Sequence, residues 1–409
     1  MSGVMREAAG AGATVGPIAE HARIEVLDIL RGFAIFGILL VNMASFSSAQ
    51  GFPGYIAPPL EPVDQLVSGL IIFLAEQKFY SLFSLLFGLG FALQFDRART
   101  RGGRFLPTYL RRLLILFGFG VAHAVLLWEG DILALYAVLG VLLVAFRNRA
   151  PRTALIGAGL CLLLWLAMQA WLYVLSGIPL PKEADTALGV SAAQWEAVHA
   201  NGSYVQIAAQ RISELLLFWP VFLVVLGPSV FAMFLIGLYL GKRRIFEDLG
   251  SHVPLLRRML RWGLVVGVAG NLAYLLGYNG TRLGFLSEAA IVLGAPALCL
   301  FYVAAICLLV QRAGWQRRLT PLAPVGRMAL SNYLLQSLVA TTIFYGYGLG
   351  LFERVGPVLG LLLTVAIYAV QVLLSEWWMR RFRFGPAEWL WRSLTYARRQ
   401  PMRRGQPAA

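Results

Sequence analysis

His123, Glu129 and Asp131 fall within one short stretch, HAVLLWEGD. An imidazole beside a carboxylate is the minimum equipment for general-base chemistry, because the carboxylate orients the ring and supports the charge it gains. His123 is the one histidine of four that lies inside an apolar run; His21, His199 and His252 read as loop residues. The plainer alternative is a neutral histidine bonded to a neighbouring helix. A second group opens the first apolar run, LDILRGFAIFGILLVN at 27–42. At about 100° per residue, Asp28, Arg31 and Asn42 share one helical face, and Asp28 and Arg31 are spaced to pair. They read as an interfacial anchor or as part of a site, with Asn42 as a contact between helices. Lys78, in EQKFYSLFSLLFGLG, reads as a side chain snorkelling to lipid headgroups or as a partner for Glu129 or Asp131. Arg111 and Arg112, with the basic run 97–104, stand at the opposite end of the apolar runs from His123.

The elements that must position these groups follow from composition. Of the 409 residues 59% are hydrophobic and only 13% charged, about half the charge of a soluble domain. The fold class is therefore an all-α polytopic membrane protein, since the apolar runs lack the alternation of a barrel. Runs of spanning length occur at about 30–48, 78–96, 113–128, 131–147, 153–175, 215–241, 262–278, 288–311, 329–350 and 357–378, which predicts ten transmembrane helices. The segments 113–128 and 131–147 read as a hairpin, because one helix through both would overshoot a bilayer of ~30 Å. The apolar stretch at 62–77 is too short to span and reads as a re-entrant or interfacial helix on the outer face. Pro220 and Pro228 predict breaks in the run that contains them.

Charge fixes the expected orientation. With both termini inside, all but five of the 35 Lys and Arg residues lie inside; Lys78, Lys182, Arg211, Arg282 and Arg354 are the exceptions. This places residues 1–25 as a disordered cytoplasmic tail, 26–175 as an N-terminal half of five spans, 176–214 as an extracytoplasmic loop, 215–396 as a C-terminal half, and 397–409 as a basic cytoplasmic tail. The same pattern accounts for the net charge of +15 without nucleic acid. Trp389 and Trp391, beside Arg392, read as an interface anchor. Cys161, Cys299 and Cys307 lie in apolar runs as small buried thiols, with no metal or disulfide spacing. Phosphate-loop, G-x-S-x-G and H-E-x-x-H motifs are absent. The stripe GRMALSNYLLQS carries Ser331, Asn332, Gln336 and Ser337 and reads as packing between helices, with cavity lining as the alternative.

Four stretches carry a family resemblance: LDILRGFAIFGILLVN, KFYSLFSLLFGLGF, GVAHAVLLWEGDILALYAVLG, and GRMALSNYLLQS with FGPAEWLWRSLTY. Together they resemble the YeiB-like bacterial inner-membrane proteins, whose C-terminal domain has no established activity. That resemblance implies a multi-pass protein of the bacterial plasma membrane, with the family's domain in 215–396. The family is in turn similar to transmembrane acyltransferases, among them heparan-glucosaminide acetyltransferases, through the D-x-x-R-G opening at Asp28, Arg31 and Gly32 and the polar Asn42. Those enzymes place a histidine in the outer loop after the first helix; here residues 45–64 contain none, and His123 is the nearest substitute. The resemblance implies acyl transfer from a cytoplasmic acyl-CoA to a small-molecule acceptor outside. Acyl-CoA is then a donor substrate and no cofactor is permanently bound. His123, Glu129 and Asp131 would be catalytic, and Asp28, Arg31, Asn42, Lys78, Arg111 and Arg112 would bind substrate or donor. A transporter of a small molecule, and a scaffold without chemistry, are the rival expectations.

Overall fold

A chain buried in lipid must satisfy its backbone N–H and C=O groups internally, and this one does so with helices. The computed structural model describes residues 24–49, 59–100, 103, 105–176, 192–278 and 284–405. Residues 1–23 of the expected N-terminal tail, Lys182 and Arg282 lie outside them, and the tail's last residue, Glu25, already opens α1. In chain order the helices are α1 (Glu25–Ser47), α2 (Pro62–Leu74), α3 (Lys78–Thr100), α4 (Phe105–Leu126), α5 (Leu133–Leu143), α6 (Pro151–Ser176), α7 (Ala192–Asn201) and α8 (Tyr204–Lys242). They continue with α9 (Val253–Tyr278), α10 (Phe285–Leu309), α11 (Ala313–Leu319), α12 (Leu322–Arg327), α13 (Ala329–Phe344), α14 (Pro357–Arg381) and α15 (Pro386–Tyr396).

Among the described residues, eight helices are long and apolar enough to cross a membrane: α1, α2 continued by α3, α4, α6, α8, α9, α10 and α14. They coincide with eight of the ten expected runs. The other two runs form the shorter helices α5 and α13. The glycines at 346, 348 and 350 turn the chain just after Phe344, where α13 ends. α4 and α5 pack against each other as the expected hairpin. Leucines and isoleucines of α6, among them Ile156, Leu160 and Leu163, are exposed, as are Leu362 and Leu373 of α14. Continuous apolar faces of this kind are stable against lipid and not against water, so the chain is a membrane protein.

Two expectations change. The polar segment before the run at 215 is largely helical where it is described: α7 occupies 192–201, and α8 begins at Tyr204. Ser203 and Gln206 close a capping box there, each side chain bonding the other's backbone N–H, which starts α8 ahead of the apolar run. His199, expected in a loop, is buried in α7. The prolines do not break the helix either. α8 is continuous through Pro220 and Pro228 for 39 residues, about 58 Å, as membrane helices tolerate a missing N–H.

Glycine sets the closest helix contacts. A Cβ at Gly88 of α3 would strike the Phe234 carbonyl of α8, and one at Gly237 would strike the Leu85 carbonyl. The same exchange joins α1 to α12, where Gly32 faces the Leu322 carbonyl and Gly326 faces the Asp28 carbonyl. The glycine of D-x-x-R-G therefore lets α1 touch backbone on α12, and this contact brings Asp28, Arg31 and Arg327 to one end of the bundle.

Candidate active site

His123 lies one turn before the end of α4, and the start of α5 is pressed against it. Gly120 permits the approach: a Cβ there would sit 2.7 Å from Asp131 Oδ2. Asp131 Oδ1 is 3.0 Å from His123 Nδ1, and Asp131 Oδ2 accepts the Ala134 N–H at 2.8 Å. The carboxylate thus faces the open N-terminus of α5, where backbone donors and the helix dipole favour a negative charge. On the other side of the ring, His123 Nε2 is 2.8 Å from Ser337 Oγ of α13. All three side chains are buried. Tyr333, one turn earlier on α13, packs its ring 4.7 Å from the imidazole, and Trp128 stands edge-on at 6.4 Å.

Tyr333 also lines a cavity of about 280 Å³ at the end of the bundle where α1 starts, α3 ends and α4 starts. Asp28, Arg31, Arg97, Arg112, Arg327 and Arg392 line it together with Glu388. Apolar and aromatic side chains form its inner part, including Ile35, Phe83, Phe87, Ile132, Leu133 and Tyr136. Asp28 pairs with Arg31 at 2.7 Å. Arg112 donates to Gln94 Oε1 at 2.8 Å and lies over the Trp391 ring at 4.3 Å. Arg327 Nε is buried without a partner among the described residues. Glu388 accepts the N–H groups of Leu330 and Ser331 at 2.7 and 3.1 Å and the Ser331 hydroxyl at 2.5 Å, which caps α13. Burial pushes its carboxyl above the ordinary range, against the pull of those bonds. Five guanidinium groups against two acids leave a basic mouth. From Arg112 to His123, α4 rises about 16 Å.

The structure thus brings His123 and Asp131 together and gathers Asp28, Arg31 and Arg112 at the cavity. The other sequence candidates go elsewhere. Glu129 does not join His123; its Oε2 pairs with Arg211 Nε at 3.2 Å. Arg211 is wholly buried, and neither terminal nitrogen meets hydrogen-bond geometry with a described residue. Lys78 neither snorkels nor pairs with Glu129 or Asp131. Its buried Nζ donates to the Ile72 carbonyl at 2.8 Å, closing an open C-terminal carbonyl of α2. Asn42 is half-buried and bonds to neither site. Arg111 is exposed and off the cavity, 100° round the helix from Arg112.

The polar stripe of α13 divides. Gln336 donates to Gln371 Oε1 at 2.8 Å, Gln371 donates to the Asn332 carbonyl at 2.9 Å, and Asn332 donates to Ser375 Oγ at 3.0 Å. These groups join α13 to α14, as packing predicts. Ser337 faces His123 instead, and nothing in its local sequence separates it from its neighbours. Trp391, expected as a lipid anchor, turns inward: its Nε1 donates to the Arg112 carbonyl at 3.0 Å. Arg97, Arg327, Arg392 and Glu388 were visible only as basic or polar flanks of apolar runs.

Chemically, the arrangement offers a basic entrance, an apolar shaft, and, behind the Tyr333 ring that lines it, a buried imidazole whose orientation a carboxylate fixes. Residues 240–398 match the family model described as "Protein of unknown function (DUF418)". The uncharacterised protein YxaH of Bacillus subtilis (strain 168) is 38% identical, over 94% of this chain and 97% of that one. The uncharacterised protein YeiB of Escherichia coli (strain K12) is 31% identical, over 90% of this chain and 95% of its own. An uncharacterised 39.9 kDa protein from the amylase 3' region of Bacillus acidopullulyticus is 33% identical, over 94% of this chain. With apolar spanning helices and relatives matched over nearly their whole length, the chain belongs to the YeiB-like family of membrane proteins that carry the DUF418 domain.

Proposed function

We propose that the protein is a transmembrane acyltransferase of the bacterial plasma membrane. It takes an acyl group from a cytoplasmic acyl-CoA and gives it to a small-molecule acceptor on the other side. The observation that carries this reading is the cavity, which is basic at its mouth and apolar along its shaft, and which ends at Tyr333 against the His123–Asp131 pair. The arginines suit the phosphates of the donor, since charge-assisted bonds to phosphate are strong and guanidinium groups match its geometry. The shaft suits the acyl-pantetheine arm. His123 serves as general base, and Asp131 positions it.

On this reading the Arg31 end is cytoplasmic, both termini are inside, and the positive-inside distribution of charge supports that orientation. The acceptor approaches from the side of the bundle where Glu129 pairs with Arg211, away from the cavity. The test uses the full chain in lipid nanodiscs. CoA and acetyl-CoA binding are measured by calorimetry, and transfer of labelled acetyl to extracted small molecules is followed by mass spectrometry. Saturable CoA binding weakened by Arg112→Gln is the expected result. No CoA binding, together with a His123→Ala strain that keeps its phenotype, overturns the proposal.

A further inference from the structure

The contact between His123 and Ser337 is more than either side chain needs for burial. Asp131 Oδ1 lies on Nδ1 at 3.0 Å and its Oδ2 is already committed to the Ala134 N–H. In the neutral imidazole, this arrangement places the proton on Nδ1 toward Asp131 and leaves Nε2 with a lone pair. Ser337 Oγ has two acceptors in reach: Nε2 at 2.8 Å and the Tyr333 carbonyl of its own helix at 3.4 Å. The shorter contact takes the hydroxyl proton, because hydrogen bonds weaken steeply at longer range. The i−4 carbonyl, the usual partner of a helical serine, is the longer of its two contacts. This one is turned toward a base that a buried carboxylate orients, with the three residues drawn from α4, from the residues just before α5, and from α13. That is the mutual geometry of an activated nucleophile.

We infer that Ser337 is the nucleophile of the acyl transfer and that the reaction passes through an acyl-serine; the inference rests on the acyltransferase reading above. In the first half, Ser337 Oγ attacks the thioester carbonyl and His123 Nε2 takes its proton. The C–S bond breaks, and His123 returns the proton to the departing thiolate, which leaves as CoA thiol. In the second half, the acceptor's hydroxyl or amine attacks the serine ester and gives its proton to His123. The bond from the acyl carbon to Oγ breaks, and Oγ takes the proton back. No electron transfer is involved. Asp131 is a positioning residue in both halves.

The placement of the groups favours two steps over one. Ser337 lies one turn, about 6 Å, beyond Tyr333 along α13, so the Tyr333 ring stands between it and the cavity on the side from which the donor would come. The Glu129–Arg211 pair follows the end of α4, whose other end lines the cavity. A covalent relay lets donor and acceptor use opposite approaches without meeting. The Tyr333 hydroxyl's contact with the Gly130 carbonyl is long, at 3.5 Å, which leaves its proton able to turn to the developing oxyanion.

The test needs no acceptor. The full-length protein in nanodiscs is incubated with acetyl-CoA and isotopically labelled CoA, and exchange of label into acetyl-CoA is followed. The acetylated peptide is then mapped by mass spectrometry. Wild-type protein is expected to exchange label and carry acetyl on Ser337, and Ser337→Ala to lose exchange by about 10³-fold or more. Ser337→Cys retains a nucleophile and serves as the folding control, with acetyl expected on the new thiol. CoA binding measured separately distinguishes the two failures. If the wild type and Ser337→Ala both bind CoA and exchange label at similar rates, the acyl-serine is wrong and the acyltransferase reading stands. If wild type binds CoA without exchange, the acyl-serine is also wrong. If wild type does not bind CoA, the underlying reading fails.

Discussion

Replacing Glu129 by Gln separates structure from chemistry at the end of the bundle away from the cavity. Glu129 and Asp131 are two residues apart, yet their partners differ: Asp131 holds His123, and Glu129 holds Arg211. The Arg211 side chain is 0% exposed and its aromatic neighbour, the Tyr345 ring at 5.4 Å, carries no countercharge, so the substitution leaves a buried cation unpaired. At 3.2 Å and an effective dielectric constant of ~20, the gross attraction is about 5 kcal/mol. Glu129 is 18% exposed, which screens part of this, so the expected loss is at the lower end of the ~3–5 kcal/mol for breaking a buried pair. A loss of about 3 kcal/mol lowers the folded-to-unfolded ratio roughly 100-fold, and it reads as a fall in thermal midpoint in detergent. Glu129→Gln with Arg211→Met removes both charges and is expected to recover most of the midpoint. Asp131→Asn is expected to do the reverse, sparing the midpoint more than turnover. If Glu129→Gln keeps the wild-type midpoint and abolishes transfer, Glu129 belongs to the chemistry and the assignment of Asp131 alone is refuted.

Three further outcomes follow from the geometry. Arg112→Gln removes one guanidinium from the cavity and is expected to weaken CoA binding about tenfold by calorimetry, while Arg111→Gln, exposed and off the cavity, leaves it unchanged. Gly326→Ala drives a Cβ into the Asp28 carbonyl and is expected to cost about 1–3 kcal/mol of stability and to loosen CoA binding by parting α1 from α12; a wild-type melt and affinity would contradict that contact. His199 is held below its ordinary value of 6.5 by burial, opposed by the charge of Glu129, so its unfolded form binds the proton first. Stability is then complete above about pH 7.5 and falls as pH drops through 6.5 toward the lowered folded value. His199→Phe, which keeps an aromatic ring beside Trp195, is expected to flatten the midpoint between pH 7.5 and 5.5.

The sequence makes the helices legible because lipid reduces folding to one rule, that an apolar run long enough to span must be helical. Pairing at i, i+3 made the Asp28–Arg31 bond legible as well. The choice of Asp131 over Glu129 was not, because both follow His123 across the same turn and only the packing at Gly120 brings one carboxylate onto the ring. Ser337 was hidden for a related reason: it is 214 residues from His123, and its stripe is otherwise packing. Lys78 misled in the opposite direction. A lone cation at a helix start suggests a headgroup contact, but the turn at 75–77 folds it back onto the end of α2.

The same details weigh on the rival reading of a transporter. A solute carried across needs polar groups that can release their partners and a path that opens to each end in turn. Here Gln336, Gln371, Asn332 and Ser375 bond one another across α13 and α14, and α8 runs unbroken through both of its prolines. The cavity stops at Tyr333. Beyond it Ser337, His123 and Asp131 form a polar line in which each is held by the next at 3.0 Å or less. A solute would have to break that line to pass. An acyl group and a proton would not, since an imidazole and a hydroxyl can hand them on from where they stand, and this is why the geometry favours transfer of a group over transport of a molecule.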